Sequence, residues 1–356
     1  MLPLPQRRSR VWLPILIPGA LLFDSAHATV PTAVFCAHTP AELQADLTTA
    51  QADGMHDIVY VVTGNYSLTS GLTFNSSEGL DLTITGGVDD ATCTSTAVDL
   101  AGPGSVLDGQ HSVRPLYISN PGGSVGLYAL TIAAGSSTNG SGGAGVQVAG
   151  CNSCGFYYLR FYGNHASGGT APGGALLANG TGGVIFINNL VLGSHGVGAG
   201  GVVLNFGSGT GIVYNNTIVY NTTDTLSDPG GLLLETGGSA NFLVANNIIW
   251  GNAAVGGSDF KVVGVNTRNT NDIGAVASGS TAGTVTGDMS VDPQFESCPF
   301  LCIDYELKYG SPLIDAGTPT NGLPYEDLVG LPRPLGPQLD IGAYENDAIF
   351  IDGFGS

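Results

Sequence analysis

A repeat of about thirty residues restricts the fold of this chain more than any other feature. Glycine pairs open four successive segments at spacings of 31, 27 and 30 residues: Gly142-Gly143, Gly173-Gly174, Gly200-Gly201 and Gly230-Gly231. A short apolar run follows each pair, and the last three segments then carry an asparagine pair and a second apolar run. Two short strands per repeat, without a helical period, indicate a parallel β-helix rather than a helical solenoid. A propeller blade would need ~40 or more residues.

Stacked coils of a β-helix bring equivalent residues into columns ~4.8 Å apart. One aligned column is apolar in every coil, and we expect it to be buried: Phe161, Val191, Ile218 and Ile249. The first asparagine of each pair is expected to form a ladder at a turn: Asn188, Asn215 and Asn246. Asparagine suits this position because it tolerates the left-handed conformation and its amide can bond amides above and below it. We interpret these residues as structural.

Composition supports an all-β fold and narrows the choice of partners. Glycine contributes 56 of 356 residues, hydrophobic residues make up 43% and charged residues only 10%. Such a chain is too apolar to be disordered and poor in the residues that build helices. Its formal net charge of −19 repels phosphate groups, which argues against nucleic-acid binding. We therefore expect a large, strand-rich protein that is a monomer.

Residues 1–28 have the features of a secretory signal peptide. Three arginines precede an apolar stretch at residues 11–23, and Ala26-His27-Ala28 offers a cleavage site with small residues. That stretch is shorter than the ~20 residues of a membrane-spanning helix, so we expect export without a membrane span. An uncleaved anchor is the alternative. Cleavage would leave six basic and 27 acidic residues.

The remainder of the chain divides into four predicted parts. Thr39-Pro40-Ala41-Glu42 is a capping box with proline at the first helical position, which predicts a cap helix within residues 29–56. The β-helix is expected to cover residues 57–290. Residues 291–348 are rich in proline and acids and are predicted to cap the other end, followed by a tail at residues 349–356.

Six cysteines follow the signal-like segment, and an even number in an exported chain suggests disulfides. The pairing that the sequence favours, among fifteen possible ones, is Cys36–Cys93, Cys151–Cys154 and Cys298–Cys302. The C-x-x-C spacing at Cys151 and Cys154 also occurs in zinc knuckles and redox motifs. A loop staple is the preferred interpretation because no second C-x-x-C and no βαβ pattern accompany it.

Several short motifs resemble a known group of proteins. Phe35-Cys36, Ile84-Thr85-Gly86-Gly87 and Val106-Leu107-Asp108-Gly109 resemble exported bacterial right-handed β-helix proteins of the pectin-lyase superfamily. Asp292-Pro293-Gln294-Phe295 and Asp340-Ile341-Gly342-Ala343-Tyr344-Glu345 are similar to the choice-of-anchor Q domain. The resemblance implies a right-handed parallel β-helix that is secreted or lies on the outer surface of a Gram-negative bacterium. It does not imply a particular activity.

The resemblance makes a polysaccharide lyase or glycoside hydrolase the alternative to a non-catalytic scaffold. A lyase needs an Arg or Lys base beside carboxylates that hold Ca²⁺. The cations after residue 28 match no lyase motif: Arg114, Arg160, Lys261, Arg268, Lys308 and Arg333. Acids are also scarce in residues 142–250: Asp224, Asp228 and Glu235. We expect a scaffold without a cofactor, and Ca²⁺ only if the lyase alternative holds.

Two small groups of residues remain as candidate sites. Trp250 and Tyr162 share a column of opposite parity to the core and are expected either to offer a platform for polysaccharide or to lie under a neighbouring segment. His165 and His195 occupy the same register one coil apart and could hold a metal ion. We interpret them as exposed loop histidines, with no metal site, because no cysteine or carboxylate joins them in register.

Arg333 is expected to have a structural role. It lies between two prolines in a segment that carries only one other cation, so its guanidinium should be held in place. The predicted partners are Asp315 and Asp340, because each adjoins apolar residues and would be partly desolvated.

Overall fold

The computed structural model describes residues 30–94, 97–102, 104–296, 305–320 and 325–346. Within these residues the chain forms one helix, α1 (Pro40–Ala50), and thirty short strands. In chain order the strands are β1 (Thr32–Ala37), β2 (His56–Val62), β3 (Gly64–Ser67), β4 (Leu72–Asn75), β5 (Leu82–Val88), β6 (Ser105–Asp108), β7 (Leu116–Asn120), β8 (Val125–Tyr128), β9 (Leu130–Ala133), β10 (Ser136–Ser137), β11 (Val146–Cys151), β12 (Cys154–Tyr157), β13 (Arg160–Tyr162), β14 (His165–Ala166), β15 (Leu176–Gly180), β16 (Val184–Ile187), β17 (Leu190–Leu192), β18 (His195–Gly196), β19 (Val202–Phe206), β20 (Thr210–Tyr214), β21 (Thr217–Val219), β22 (Thr222–Thr223), β23 (Leu232–Glu235), β24 (Asn241–Ala245), β25 (Ile248–Trp250), β26 (Ala253–Ala254), β27 (Phe260–Val263), β28 (Val265–Asn269), β29 (Asp272–Ile273) and β30 (Thr284–Thr286).

The strands form four parallel sheets, which have ten, eight, seven and five strands. In spatial order, sheet A is β1-β2-β5-β8-β12-β16-β20-β24-β28-β30, sheet B is β3-β6-β9-β13-β17-β21-β25-β29, sheet C is β4-β7-β11-β15-β19-β23-β27, and sheet D is β10-β14-β18-β22-β26. The chain passes through sheets C, A, B and D in turn before starting the next coil, as β11, β12, β13 and β14 illustrate. This is a right-handed parallel β-helix, so the predicted fold class is confirmed.

The core is a set of stacked apolar columns inside the coils. In sheet B, Phe161 lies opposite Val191, Val191 opposite Ile218, and Ile218 opposite Ile249. All four side chains are fully buried, as the alignment of the repeats predicts. Side chains of a strand alternate between its two faces, so every second residue packs inside the solenoid and the residues between them face outwards.

The asparagine pairs form the turn between sheets A and B. The first residue of each pair has a left-handed backbone, with φ of 54° at Asn188 and 55° at both Asn215 and Asn246. The amide-to-amide ladder, however, runs mainly through the second residue of each pair: Asn189, Asn216 and Asn247, continued by Asn271. Among the first residues of the pairs, the side-chain amide of Asn246 donates to Asn215 Oδ1 at 3.3 Å. The side-chain amides of Asn188 and Asn246 also donate to backbone carbonyls of the C-terminal segment.

Helix α1 covers the first coils as a cap. Thr39 Oγ1 accepts a hydrogen bond from the Glu42 amide, and Pro40 occupies the first turn. Leu43, Leu47 and Ala50 are buried in the core of the solenoid. A disulfide between Cys36 and Cys93 links β1 to the turn after β5. Among the described residues, no helix has the length and apolar character needed to cross a bilayer.

The C-terminal segment, residues 305–320 and 325–346, lies along the outer face of sheet B. Its amides and carbonyls bond Thr217 and Asn246 on that side of the solenoid, and Arg160 donates to the Leu328 carbonyl. The outer face of sheet B is apolar at Leu190 and Ile248, which explains why a segment packs there. The sequence predicted that this segment caps the end of the β-helix. That prediction is wrong for these residues, which instead cover the side of the solenoid formed by sheet B.

Three expectations concern residues outside the described part of the chain. These are the signal peptide at residues 1–28, the disulfide between Cys298 and Cys302, and the tail at residues 349–356. The disulfide between Cys151 and Cys154 is present and closes the turn between β11 and β12.

Candidate functional site

An apolar groove of about 250 Å³ lies on the outer face of sheet A and crosses four coils. We call it the sheet A groove, and its lining comes from β8, β12, β16 and β20 and the turns before them: Ser124, Val125, Gly126, Tyr128, Ser153, Cys154, Gly155, Tyr157, Gly183, Val184, Ile185, Gly209, Thr210 and Ile212. The groove was not predicted from the sequence.

Two glycines in one outward column create the depth of the groove. Gly126 lies opposite Gly155, and Gly155 lies opposite Ile185 on the next strand. The tyrosine rings lie over these two glycines, since a Cβ at Gly155 would be 2.5 Å from the Tyr157 ring and a Cβ at Gly126 would be 3.4 Å from the Tyr128 ring. A glycine floor in a strand often marks a place where another molecule approaches the backbone.

Two stacked tyrosines form one wall of the groove. The rings of Tyr128 and Tyr157 lie 4.5 Å apart with planes inclined by 10°. Burial raises the pKa of Tyr157 to about 12, so its phenol is neutral at physiological pH. Three residues with hydroxyl groups lie at the opposite edge: Ser124 and Ser153, which precede β8 and β12, and Thr210, the first residue of β20. The groove thus combines an apolar floor, aromatic rings and hydroxyl groups, without a charged side chain in its lining.

Trp250 and Tyr162 do not form an open platform. Both are partly buried, and the outer face that carries them packs against the C-terminal segment. Trp250 packs against a cluster with Leu307 and Leu313, and Tyr162 packs against one with Leu328. Of the two alternatives left open by the sequence, coverage by a neighbouring segment is the one observed. Coverage follows because neighbouring outward residues of sheet B are also apolar.

The histidine pair, His165 and His195, lies in register on adjacent strands of sheet D. The ring centroids are 4.6 Å apart, and the rings are nearly perpendicular. Partial burial and the neighbouring His195 lower the pKa of His165. A carboxylate that the sequence analysis did not associate with the pair lies beside it: Asp224 Oδ2 is 3.5 Å from His195 Nε2. Thr222 is the register partner of His195, and Asp224 lies two residues after it. This spacing in the sequence could have indicated that Asp224 lies near the histidine pair.

Arg333 binds a different carboxylate from those predicted. Its Nε lies 2.9 Å from Glu345 Oε1, and both side chains are almost fully buried. Its terminal nitrogens donate to Asn188 Oδ1 and to the Gly342 carbonyl. The carboxylate of Asp340 instead accepts hydrogen bonds from the backbone N–H groups of Asp315 and Asn346, and the carboxylate of Asp315 accepts one from the backbone N–H of Gln338. The two predicted partners of Arg333 thus bond to the backbone of the C-terminal segment.

A buried carboxyl group in the first coil is expected to make stability depend on pH. Asp57 is 3% exposed, and burial together with the negative charges of Asp53 and Glu78 raises its pKa to about 7. Since the folded-state pKa exceeds the unfolded value of ~3.9, this group favours folding fully below pH ~4 and loses its effect as pH rises towards 7. Asp57→Asn should therefore be more stable than the parent protein at pH 8, by about 2–4 kcal/mol.

Urea unfolding at pH 5 and at pH 8 measures this difference. The matched control is Asp89→Asn, which replaces an exposed acid directly after β5 and should change stability by no more than about 0.5 kcal/mol at either pH. If the free energy of unfolding fell equally between pH 5 and pH 8 in Asp57→Asn and in the parent protein, Asp57 would not be the source of the pH dependence.

Comparison with known proteins adds little to this description. No protein-family model matches the chain, and no curated protein matches it. Among solved structures, a pectate lyase named Pel9A matches over 90% of this chain and 98% of that chain, with 14% sequence identity and a TM-score of 0.38. Similarity at this level does not bear on activity. The assignment as a parallel β-helix therefore rests on the pairing of the strands themselves.

Proposed function

We propose that this chain is a non-catalytic β-helix scaffold that contacts neutral glycans through the sheet A groove. The observation that carries the proposal is the composition of that groove, with its apolar lining, its rim of hydroxyl groups and a side closed by two stacked tyrosines that are 7% and 3% exposed. A neutral sugar presents an apolar C–H face and a periphery of hydroxyl groups, which such a surface complements. The net charge of −19 disfavours acidic polysaccharides as ligands.

The proposed location is outside the cytoplasm, on the outer surface of a Gram-negative bacterium or in its surroundings. Two disulfides, Cys36–Cys93 and Cys151–Cys154, fit an oxidising compartment. The signal-like residues 1–28 and the resemblance of residues 291–348 to the choice-of-anchor Q domain support export and surface display. A neutral glycan of a surface or of the environment is then the partner.

The alternative is a polysaccharide lyase or glycoside hydrolase, and the contacts of the arginine and lysine side chains support it less well. A lyase base must be free to reach a proton of the substrate. Arg114 donates to the Gly143 carbonyl and to Ser137, and Arg160 donates to two backbone carbonyls. The remaining cations with carboxylate partners are Lys261 with Asp228, Arg268 with Asp288, and Arg333 with Glu345. These contacts favour structural roles.

Binding and turnover assays on the same polysaccharide panel test the proposal. Calorimetry with cello-, xylo- and manno-oligosaccharides should detect binding, and assays for reducing ends and unsaturated products, with and without Ca²⁺, should detect no turnover. Binding to polygalacturonate should be weaker. Turnover of any member of the panel would overturn the scaffold assignment in favour of the enzyme.

A glycine substitution tests whether binding occurs in the groove. A Cβ at Gly126 would lie 3.4 Å from Thr83 and Tyr128, an ordinary contact, so Gly126→Val should fold while its methyl groups fill the floor. We expect it to weaken oligosaccharide binding at least about tenfold, or ~1.4 kcal/mol. Thr267→Val is the control, since Thr267 is exposed in the same outward column but lies outside the groove. Equal affinities for the two variants would exclude the groove as the site.

A further inference from the structure

The histidine pair belongs to an outward column of sheet D whose other members are small. His165 lies opposite Ser136 on one side and His195 on the other, and His195 lies opposite Thr222. The two imidazole rings are therefore held one strand apart by the backbone itself. Neither histidine has a part in the groove on sheet A.

One imidazole of the pair is already oriented. His195 Nδ1 lies 2.9 Å from Thr222 Oγ1, and its Nε2 lies 3.5 Å from Asp224 Oδ2. A hydrogen bond to one ring nitrogen fixes the orientation of the ring and leaves the other nitrogen available as a ligand. His195 Nε2 and Asp224 Oδ2 thus face the same small volume.

We propose that His165 and His195, together with Asp224, bind a divalent first-row transition-metal ion such as Zn²⁺ or Cu²⁺. Imidazole nitrogens are preferred ligands of these ions, and a carboxylate can complete the set with water. Bond lengths of ~2.0–2.2 Å allow two ligand atoms of one ion to be ~3.5 Å apart, which is the separation of His195 Nε2 and Asp224 Oδ2.

Binding requires a small rearrangement of side chains. As the side chains stand, no three His, Cys, Asp or Glu residues in the described part of the chain converge closely enough to hold an ion. His165 is exposed and the Asp224 side chain is 64% exposed, so both can rotate towards His195 without disturbing the core. The acidic protein, with a net charge of −19, also concentrates cations near its surface.

Two other histidines lie beside carboxylates and provide the comparison. His38 Nδ1 is 3.2 Å from Glu42, and His56 Nδ1 is 3.1 Å from Asp81. Each of these pairs offers a single imidazole, whereas the proposed site offers two. His38→Ala is therefore the matched control, because it removes an exposed histidine next to a carboxylate at another place on the surface.

Calorimetric titration of untagged full-length protein with ZnCl₂ tests the proposal. We expect one ion per chain, and a loss of affinity of at least about tenfold in His165→Ala and in His195→Ala, with no change in His38→Ala. Asp224→Asn should lose less affinity for Zn²⁺, because the imidazole nitrogens of both histidines remain. Electron paramagnetic resonance with Cu²⁺ should show coupling to two nitrogens in the parent protein and to one in each single variant.

Two results would overturn the proposal. Unchanged Zn²⁺ affinity in both His165→Ala and His195→Ala would place the ion elsewhere, as an adventitious ion only. Equal losses in those variants and in His38→Ala would show that binding is a general property of surface histidines. Thermal melts without metal should be the same for all variants, which confirms that the substitutions leave the fold intact.

Discussion

Replacing Arg333 with alanine is expected to lower the free energy of unfolding by about 3–5 kcal/mol, since it leaves a buried carboxylate without its partner. The Arg333 and Glu345 side chains are 1% and 0% exposed. Arg333 also donates to Asn188 on the solenoid, so its loss weakens the attachment of the C-terminal segment as well. Urea unfolding measures the change, and limited proteolysis after residue 290 reports whether the segment has loosened.

The pKa of Glu345 gives this effect a pH dependence. Burial raises that pKa to about 7, even though the charge of Arg333 lowers it. Without Arg333 the pKa of Glu345 should rise further, so the variant should lose more stability at pH 8.5, where an unpaired buried carboxylate is costly, than at pH 6, where the group is protonated. The double variant Arg333→Met with Glu345→Gln should be less destabilised than Arg333→Ala, because no buried charge remains.

Lys308→Ala is the control for Arg333→Ala. Lys308 is an exposed cation of the same C-terminal segment, and its removal should change stability by no more than about 0.5 kcal/mol. If Arg333→Ala behaved like Lys308→Ala in both unfolding and proteolysis, Arg333 would have no role in holding the segment.

Asn216 in the interior ladder is the second position with a large expected effect. Its Oδ1 accepts from the amide and the side chain of Asn189, both at 2.9 Å. Its Nδ2 donates to the Phe186 carbonyl and to Asn247 Oδ1, both at 2.8 Å. The side chain is fully buried, so water cannot replace these bonds. Asn216→Ala should therefore cost about 3–5 kcal/mol, because each unsatisfied buried group costs ~1–3 kcal/mol.

Asn216→Asp separates the loss of hydrogen bonds from the loss of volume. The variant keeps the shape of the side chain but places an oxygen against the Phe186 carbonyl and Asn247 Oδ1, where Asn216 donates. At pH 8 it should be at least as unstable as Asn216→Ala, and it should recover partly at pH 5 as the carboxyl group gains a proton.

The control for the ladder is Asn205→Ala on the outer face of sheet C. Asn205 is partly exposed and donates one side-chain hydrogen bond, to Asn179 Oδ1 at 3.3 Å. We expect it to lose less than about 1 kcal/mol. Comparable stabilities of Asn216→Ala and Asn205→Ala in urea unfolding would show that the interior ladder contributes no more than a surface contact.

The sequence predicted the repeating part of the fold because each coil repeats the same local constraints. Aligned apolar residues such as Phe161 and Ile249 had to stack, since equivalent positions in a parallel β-helix lie above one another. The capping box at Thr39 predicted α1 for a similar reason, as its hydrogen bonds involve neighbours in the chain. The paired cysteines Cys36 and Cys93 are also joined as expected.

The candidate sites were predictable only in part. The register of His165 and His195 followed from the repeat, but Asp224 lies in a loop whose path the repeat does not specify. The sheet A groove depends on two glycines that coincide in one outward column, and glycine is so common in this chain that no single one stands out.

The sequence by itself thus determined the coils, their inward columns and the turns that carry asparagine, because these are set by local periodicity and by stacking between equivalent residues. Only the tertiary structure decided which surfaces stay open. The C-terminal segment partly covers Trp250 and pairs Arg333 with Glu345, while the sheet A groove stays open along the outer face of β8, β12, β16 and β20. These outcomes depend on where a non-repeating segment packs against the solenoid, which is governed by the burial of apolar surface between residues far apart in the chain.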